Sequence, residues 1–205
     1  MSDHSPGISI RLARDQDVPE ILDIYTPFIL NTCVSFEMAV PDRDEFTGRI
    51  KNIQQTLPWL VCEYENRIAG YAYAADHRSR KAYQWTKELS VYIHDDFKQK
   101  GIATALYNTL LQLLKVQGVS NCLAGITLPN EASVGFHEKL GFKKVGVYHR
   151  IGFKFNEFRD VGWWELFIAG KNEMPDNIIP ISRIEKTEKF EMAVKMGLSY
   201  VKKEF

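Results

Sequence analysis

SVYIHDDFKQKGIATALYNTLL, the segment at residues 90–111, combines a strand pattern, a polar turn and an apolar helix pattern. Ile102, Leu106 and Leu110 recur at helical spacing, which predicts a helix with one apolar face. The turn KQKGIAT at 98–104 therefore lies between a strand and a helix N-terminus, where unpaired backbone N–H groups and the helix dipole attract phosphate. This order indicates a pyrophosphate cradle; the alternative is a glycine that merely begins a helix.

Two small residues of this turn support the first interpretation. Gly101 permits a positive φ or a close backbone approach, and Ala103 keeps the inner side of the loop small. The chain contains neither GxxxxGK[ST] nor GxGxxG. An NTPase or a Rossmann dehydrogenase is therefore not indicated.

The composition is that of a globular chain of 205 residues, with 26 Lys plus Arg against 26 Asp plus Glu. This balance gives no electrostatic reason to expect nucleic acid as a partner. No apolar run approaches the roughly 18 residues that span a bilayer, and MSDHSPG at the start has no basic segment followed by an apolar one. We therefore expect no membrane partner and a cytoplasmic location. Cys33, Cys62 and Cys122 are far apart, and we expect the last two to be buried free thiols.

The hydrophobic periodicity gives a mixed α/β order of elements in one domain at 1–170, followed by a linker and an amphipathic helical tail at 171–205. We interpret the tail as an appendage, lying against the domain or a second subunit. Strands are predicted at 8–13, 59–64, 68–75, 88–93, 121–127, 145–153 and 161–168, and helices from 17, at 42–55, from 102 to Gly118, at 130–140 and at 182–200.

Several motifs together resemble the GNAT superfamily of acetyl-CoA-dependent N-acetyltransferases, and within it most closely the phosphinothricin and methionine sulfoximine N-acetyltransferases. The resemblance covers about residues 8–168 and implies an α+β fold with a mostly antiparallel central sheet flanked by helices. It also implies acetyl-CoA as the cofactor, used as a co-substrate. The motifs are PWLVCE at 58–63, AGYAYA at 69–74, RKAYQWTKE at 80–88, SVYI at 90–93, LPNEASVGFHEKLGF at 128–142 and GFKFNEFRDVGWWEL at 152–166.

The resemblance assigns the donor side of the site. The superfamily's loop has Arg or Gln, two residues, Gly, one residue, and Gly or Ala; here Lys98 departs from that pattern, because it lacks the fork of an arginine. The central strand is expected to separate from its neighbour and to offer a backbone N–H to the developing oxyanion. The cofactor-binding residues implied are Val91, Tyr92, Ile93, Gln99, Lys100, Gly101, Ile102, Ala103, Thr104 and Asn130.

Two residues are candidates for acid–base chemistry. Acetyl transfer to an amine needs a group that removes the ammonium proton, and the resemblance places Glu88 beside that amine. The alternatives are a solvated carboxylate or an ion pair with Lys87 or Arg80. His137 occupies the position of a general acid, where it would protonate the coenzyme A thiolate or assist the base; alternatively it is a hydrogen-bonded residue on a helix face.

The acceptor side has a cluster of cations. Arg78, Arg80 and Lys81 lie beside Tyr83 and Trp85, which suits an anionic amino acid, since arginine binds such groups bidentately. For Arg78 we favour a solvated position, and His77 stands where some relatives have tryptophan. The resemblance implies an acceptor site formed by Phe36, Arg80, Lys81, Ala82 and Tyr83.

These features favour an enzyme that acetylates the α-amine of a small amino-acid analogue by direct transfer. The alternatives are a non-catalytic acyl-CoA-binding or interaction module on the same fold, and a protein N-terminal acetyltransferase. The histidines form no ligand-spaced cluster, so no metal is expected. A homodimer is expected from the resemblance.

Overall fold

The computed structural model describes residues 7–170 and 176–202. Within these ranges the elements follow the predicted order, and the boundaries differ by a few residues. The strands are β1 Ile8–Leu12, β2 Trp59–Tyr64, β3 Arg67–Asp76, β4 Thr86–Ile93, β5 Asn121–Leu128, β6 Lys143–Lys154 and β7 Glu157–Phe167, and the helices are α1 Val18–Asn31, α2 Arg43–Gln54, α3 Ile102–Gln117, α4 Glu131–Lys139 and α5 Glu188–Leu198.

The strands form one seven-stranded sheet in the order β1-β2-β3-β4-β5-β7-β6. Every neighbouring pair is antiparallel except β4 and β5, which are parallel. The prediction of a mixed, mostly antiparallel sheet flanked by helices is thus confirmed. Strand β7 begins four residues earlier than predicted, because Phe155 and Asn156 both have positive φ and close a tight hairpin directly after β6.

The parallel pair β4 and β5 separates partway along its length. Only Thr86, Lys87 and Glu88 of β4 are paired with β5, at Asn121, Cys122 and Leu123. Beyond Glu88 the two strands diverge, although β4 continues to Ile93. The divergence leaves a gap in the middle of the sheet.

The two faces of the sheet carry separate cores. On one face Ala72 and Ala74 of β3 pack in a large core with α3. On the other face Tyr71 packs with α1 and α2, where Trp59 stacks on Tyr73 at 4.1 Å between ring centroids. Alternation along a strand sends successive side chains to opposite faces. Each strand at the gap therefore presents side chains to both cores.

Helix α5 and the segment before it pack along α3 rather than standing apart from the domain. Near one end of α3 the Ile179 N–H donates to the Gln117 carbonyl at 2.9 Å. Farther along, a Cβ on Gly197 would lie 1.9 Å from the Thr109 hydroxyl, so the two helices meet at a point that admits only glycine. The buried residues Ile181, Ile184, Phe190 and Ala193 belong to the main core.

The tail is therefore more closely integrated than the appendage that its composition suggested, because its apolar face completes the core over α3. Burying a side chain such as Ile181 or Phe190 contributes about 1.5–3 kcal/mol. The predicted linker lies partly outside the described residues, at 171–175, and the domain boundary at 170 stays a prediction.

Other expectations concern thiols and membrane spans. Cys62 and Cys122 are buried and free, as predicted, and Cys33 is half-buried and free. Among the helices of the described ranges, none has the length and apolar character needed to cross a bilayer.

Candidate active site

A cavity of about 1270 Å³ lies at the gap between β4 and β5. Its walls come from the open part of β4, the loop at 98–104, the first turns of α3, and α4. Of the predicted cofactor residues, all except Lys100 line it: Val91, Tyr92, Ile93, Gln99, Gly101, Ile102, Ala103, Thr104 and Asn130. These nine residues therefore lie along one continuous cavity wall.

The loop at 98–104 has the backbone geometry that its glycine predicted. Gly101 has a φ of +85° at the N-cap of α3, and Gln99 also has a positive φ. Lys98, at the position where the superfamily has Arg or Gln, directs its ammonium to Asp95 at 2.5 Å. Asn130 caps α4 by accepting a hydrogen bond from the Ser133 N–H at 3.1 Å.

Backbone N–H groups of β4 point into the gap at alternate residues. The His94 N–H donates to the carbonyl of Ala69 in β3 at 3.0 Å. Because N–H groups alternate along a strand, that of Tyr92 points to β3, whereas those of Val91 and Ile93 point to the gap. The Tyr92 ring lies in the aromatic core of the opposite face, 5.0 Å from Tyr25.

His137 lines the cavity and is held at both ring nitrogens. Its Nδ1 lies 2.8 Å from the Ser133 carbonyl oxygen, which only accepts, so Nδ1 carries a proton. Burial lowers the pKa of His137 below its usual value, so the ring is neutral and Nε2 accepts from the Tyr107 hydroxyl at 2.8 Å. Burial also raises the pKa of Tyr107 well above its usual value. The arrangement presents a fixed Tyr107–His137 pair to the cavity.

Glu88 makes a pair with His77 instead of the ion pairs with Lys87 or Arg80 considered from the sequence. The His77 Nδ1 donates to the Glu88 Oε1 at 2.6 Å, and both side chains are partly exposed. Lys87 is buried and bonds to Asp76. The hydrogen bond fixes the orientation of the Glu88 carboxylate.

The two predicted acid–base residues lie on opposite faces of the sheet. The β3–β4 register places Glu88 on the same face of the sheet as Ser90 and Tyr73, and the Tyr73 ring packs against the aromatic core of that face. His137 packs on Phe142, which belongs to the core of the other face. Glu88 itself does not line the cavity. A ligand that contacts both Glu88 and His137 therefore has to extend through the gap between β4 and β5.

The predicted acceptor residues are distributed over two places. Arg80, Lys81 and Ala82 are exposed, and Tyr83 is half-buried with its ring 6.0 Å from that of His77. Arg78 is exposed, as expected, and its guanidinium lies over the Tyr83 ring at 5.4 Å.

Phe36 lies elsewhere, against β6. A Cβ on Gly152 would come within 2.3 Å of the Phe36 ring. The buried Lys154 fixes the segment that carries this ring, since its ammonium donates to the carbonyls of Ile29 and Ser35 at 2.6 Å each. The structure therefore does not place Phe36 on the wall of the cavity.

Sequence reasoning missed three residues of the site. Tyr107 was indistinguishable from the apolar positions of α3, and its partner is 30 residues away. His77 was noted only as a departure from some relatives. Trp163 lies edge-on to His77 at 5.8 Å and packs over Gly125, and its buried indole N–H has no hydrogen-bond partner among the described residues.

In residues 7–170 and 176–202, no three His, Cys, Asp or Glu side chains are grouped to hold a metal ion.

A sheet opened between two parallel strands, with a glycine loop at the mouth of the gap, is the architecture of an acyltransferase site. Residues 10–163 match the sequence model of the acetyltransferase (GNAT) domain. The chain therefore belongs to the GNAT family of acetyltransferases.

Individual relatives agree with this assignment. The chain is 34% identical to phosphinothricin N-acetyltransferase of Streptomyces viridochromogenes over 80% of its own length and 90% of the relative's. It is 32% identical to the L-methionine sulfoximine/L-methionine sulfone acetyltransferase of Pseudomonas aeruginosa, over 82% and 98%. A phosphinothricin acetyltransferase from Sinorhizobium meliloti, solved in complex with acetyl-CoA, superposes with a TM-score of 0.80 at 28% identity, over 85% and 96%.

Proposed function

We propose that this protein transfers the acetyl group of acetyl-CoA directly to the α-amine of a small anionic amino acid such as phosphinothricin or methionine sulfoximine. The observation that carries the proposal is the gap in the sheet, which has a donor cavity on one side and the Glu88–His77 pair on the other. The names of the relatives supply the class of acceptor. Acetyl-CoA is the donor, as in the Sinorhizobium complex.

The donor enters along the open strand. Its pyrophosphate takes the loop at 98–104, where amides at the start of α3 favour negative charge. Its pantetheine arm lies in the gap and pairs with β4 as an added strand would. The N–H groups of Val91 and Ile93 are then directed at the thioester carbonyl.

Proton removal is assigned to Glu88. The acceptor ammonium passes a proton to the Glu88 carboxylate, directly or through water, and its nitrogen lone pair forms a bond to the acetyl carbon. The carbonyl oxygen takes up negative charge, which the strand N–H groups stabilise. His77 acts as a positioning residue, because its Nδ1–H holds one carboxylate oxygen at 2.6 Å.

Collapse of the intermediate breaks the C–S bond and releases coenzyme A as a thiolate. A thiol has a reference pKa of about 8.5, so protonation helps release without being obligatory. We assign this proton transfer to the Tyr107–His137 pair, which lines the cavity on the donor side. In the neutral ring both nitrogens of His137 are engaged, so His137 first takes a proton from solvent and then passes it to the thiolate, while Tyr107 positions the ring.

The low reactivity of the two buried cysteines, Cys62 and Cys122, supports direct transfer without an acetyl-enzyme intermediate. Burial raises the pKa of both Cys62 and Cys122 to about 12. At neutral pH their thiolate fractions are negligible, and the thiolate is the nucleophilic form.

Recognition of an anionic acceptor is supported by the groups around His77. Arg78 and Arg80 lie in the same turn region, and the unpartnered indole N–H of Trp163 is a further donor next to that ring. Guanidinium groups bind carboxylate and phosphinate oxygens through charge-assisted, bidentate hydrogen bonds.

A homodimer is part of the proposal. The hairpin of β6 and β7 exposes several large apolar side chains, which are Val145, Tyr148, Ile151, Phe153, Phe155, Phe158 and Phe167. Exposed apolar groups in such number on one hairpin mark an interaction surface. We assign this surface to a second copy of the chain, and light scattering of the protein with Phe153→Ser and Phe158→Ser tests it by the expected shift to monomer.

Acceptor profiling tests the function. Purified protein is incubated with acetyl-CoA and phosphinothricin, methionine sulfoximine, leucine or a peptide with a free N-terminus, and free thiol is followed. We expect the two anionic or oxyanion-bearing analogues to react fastest, and no acetylated protein by mass spectrometry when the acceptor is omitted. Reaction of the peptide alone would assign an N-terminal acetyltransferase, and no reaction with any acceptor would assign a non-catalytic module.

A further inference from the structure

The last described residues of the chain lie at the loop of residues 98–104. The Lys202 N–H donates to the Lys100 carbonyl at 3.1 Å. A Cβ on Gly101 would lie 2.2 Å from the Tyr200 carbonyl oxygen. Tyr200 and Lys202 both line the same cavity as the loop itself. The close approach that a glycine permits at position 101 is thus made by the protein's own C-terminal segment.

Antiparallel packing brings this segment to the loop. The tail first contacts α3 at Gln117, at the C-terminal end of that helix. It then packs on α3 through Gly197 and reaches the N-terminal end of α3 at Gly101. Helix α5 therefore ends where α3 begins. The negative end of one helix dipole lies beside the positive end of the other, which weakens the attraction of the loop for an anion.

A cation from the tail offsets this weaker attraction of the loop for an anion. Lys98, which departs from the Arg or Gln of the superfamily's loop pattern, is paired with Asp95 at 2.5 Å. Lys202 follows directly after α5, is exposed, and has its backbone fixed at the loop. Its ammonium is free to move on a flexible stem within reach of a ligand in the cavity.

We propose that residues 199–202 form a wall of the nucleotide pocket and that the Lys202 ammonium binds a phosphate group of coenzyme A. This inference rests on the proposed use of acetyl-CoA. The match to the family's sequence model ends at residue 163, so the contact comes from a part of the chain outside that match. Lys98 is paired with Asp95. Lys202, from another element, therefore supplies the positive charge that neutralises the phosphate.

Calorimetry with two ligands tests the contact. The full chain is titrated with coenzyme A and with 3′-dephospho-coenzyme A, in wild type, Lys202→Ala, Lys202→Arg and Lys195→Ala. Lys195 is the matched control, because it is exposed on α5 and does not line the cavity. We expect Lys202→Ala to raise the Kd of coenzyme A about 3- to 10-fold, the range for an exposed charge-assisted contact. Lys202→Arg and Lys195→Ala should bind as wild type does.

The ligands separate the two phosphate sources. If Lys202→Ala weakens coenzyme A alone, the contact is with the 3′-phosphate; if it weakens both ligands equally, the contact is with the pyrophosphate. Equal affinity of Lys202→Ala and wild type for both ligands would overturn the inference and leave the proposed function standing. Absence of binding by the wild-type protein would instead overturn the proposed function. Thermal unfolding of each variant confirms that the fold is kept.

Discussion

The donor side and the acceptor side of the site are built in different ways. The donor side uses mainly the backbone of one stretch, from the open half of β4 through the loop to the start of α3. The acceptor side uses side chains from separate segments, with His77 and Glu88 paired, Tyr83 and Trp163 next to them, and Phe36 on its own. Under the proposed function, a common donor would thus be held by geometry that tolerates varied side chains, whereas acceptor choice would depend on a few side chains brought together by the fold.

The largest effect is expected on the acceptor side. Glu88→Gln keeps the shape of the side chain and removes the base, so kcat/KM should fall by roughly 10³-fold. Affinity for coenzyme A, measured by calorimetry, should not change, because Glu88 does not line the donor cavity. A variant that keeps most of its turnover would show that another group takes the proton.

The next effect belongs to the donor side. Gly101→Ala places a Cβ at a φ of +85° and against the Tyr200 carbonyl. We expect the free energy of unfolding to fall by about 2 kcal/mol and the Kd of coenzyme A to rise about 10-fold. Gly48→Ala is the matched control, since a Cβ there meets nothing within 4 Å and α2 should be slightly stabilised. Chemical denaturation and calorimetry measure both quantities, and equal behaviour of the two variants would contradict the strained geometry.

A smaller effect is expected for the residue that positions the base. His77→Ala removes the donor to Glu88, so kcat should fall about 10-fold with the KM for acetyl-CoA unchanged. His77→Asn retains an N–H near the position of Nδ1 and should recover most of the rate. His149→Ala breaks a comparable bond to Asp160, of 2.8 Å, on the surface, and should have no effect on steady-state kinetics. A rise in KM with unchanged kcat would assign His77 to binding instead.

The smallest effect concerns stability against pH. Burial lowers the pKa of His137 in the folded state below the 6.5 of an exposed histidine. The unfolded chain therefore binds more protons on acidification, and stability should fall as the pH drops through 6.5, by about 1 kcal/mol between pH 7 and pH 5. His137→Gln keeps an acceptor for Tyr107 and should lose this contribution. Denaturant unfolding at the two pH values measures it, and equal slopes for both proteins would refute the assignment.

Much of the fold was predictable because its signals are local. Helix α2, predicted at 42–55, begins at the Asp42 cap, whose carboxylate accepts from the Glu45 N–H at 2.8 Å. The turn at Glu65 and Asn66 closes the β2–β3 hairpin with positive φ at both residues. Gly118 ends α3 with a φ of +89°. Each feature depends on the backbone preferences of a few adjacent residues.

The acceptor site was less predictable for a physical reason. The sequence placed Arg80 and Tyr83 in one turn, but it did not show that the Glu88 carboxylate would bond to His77 rather than to Lys87. That choice depends on the β3–β4 register, which places Asp76 opposite Lys87 and leaves Glu88 beside the turn.

The amino-acid sequence by itself determined the order of the elements, the glycine turn before α3 and, through its motifs, the family, because periodicity and turn chemistry act over short stretches of chain. Only the tertiary structure decided that Tyr107 holds His137, that His77 holds Glu88 and that the tail reaches the loop at 98–104. Those contacts join elements through sheet register and helix packing. Packing selects partners by shape and distance in three dimensions, and the spacing of residues along the chain determines neither of these.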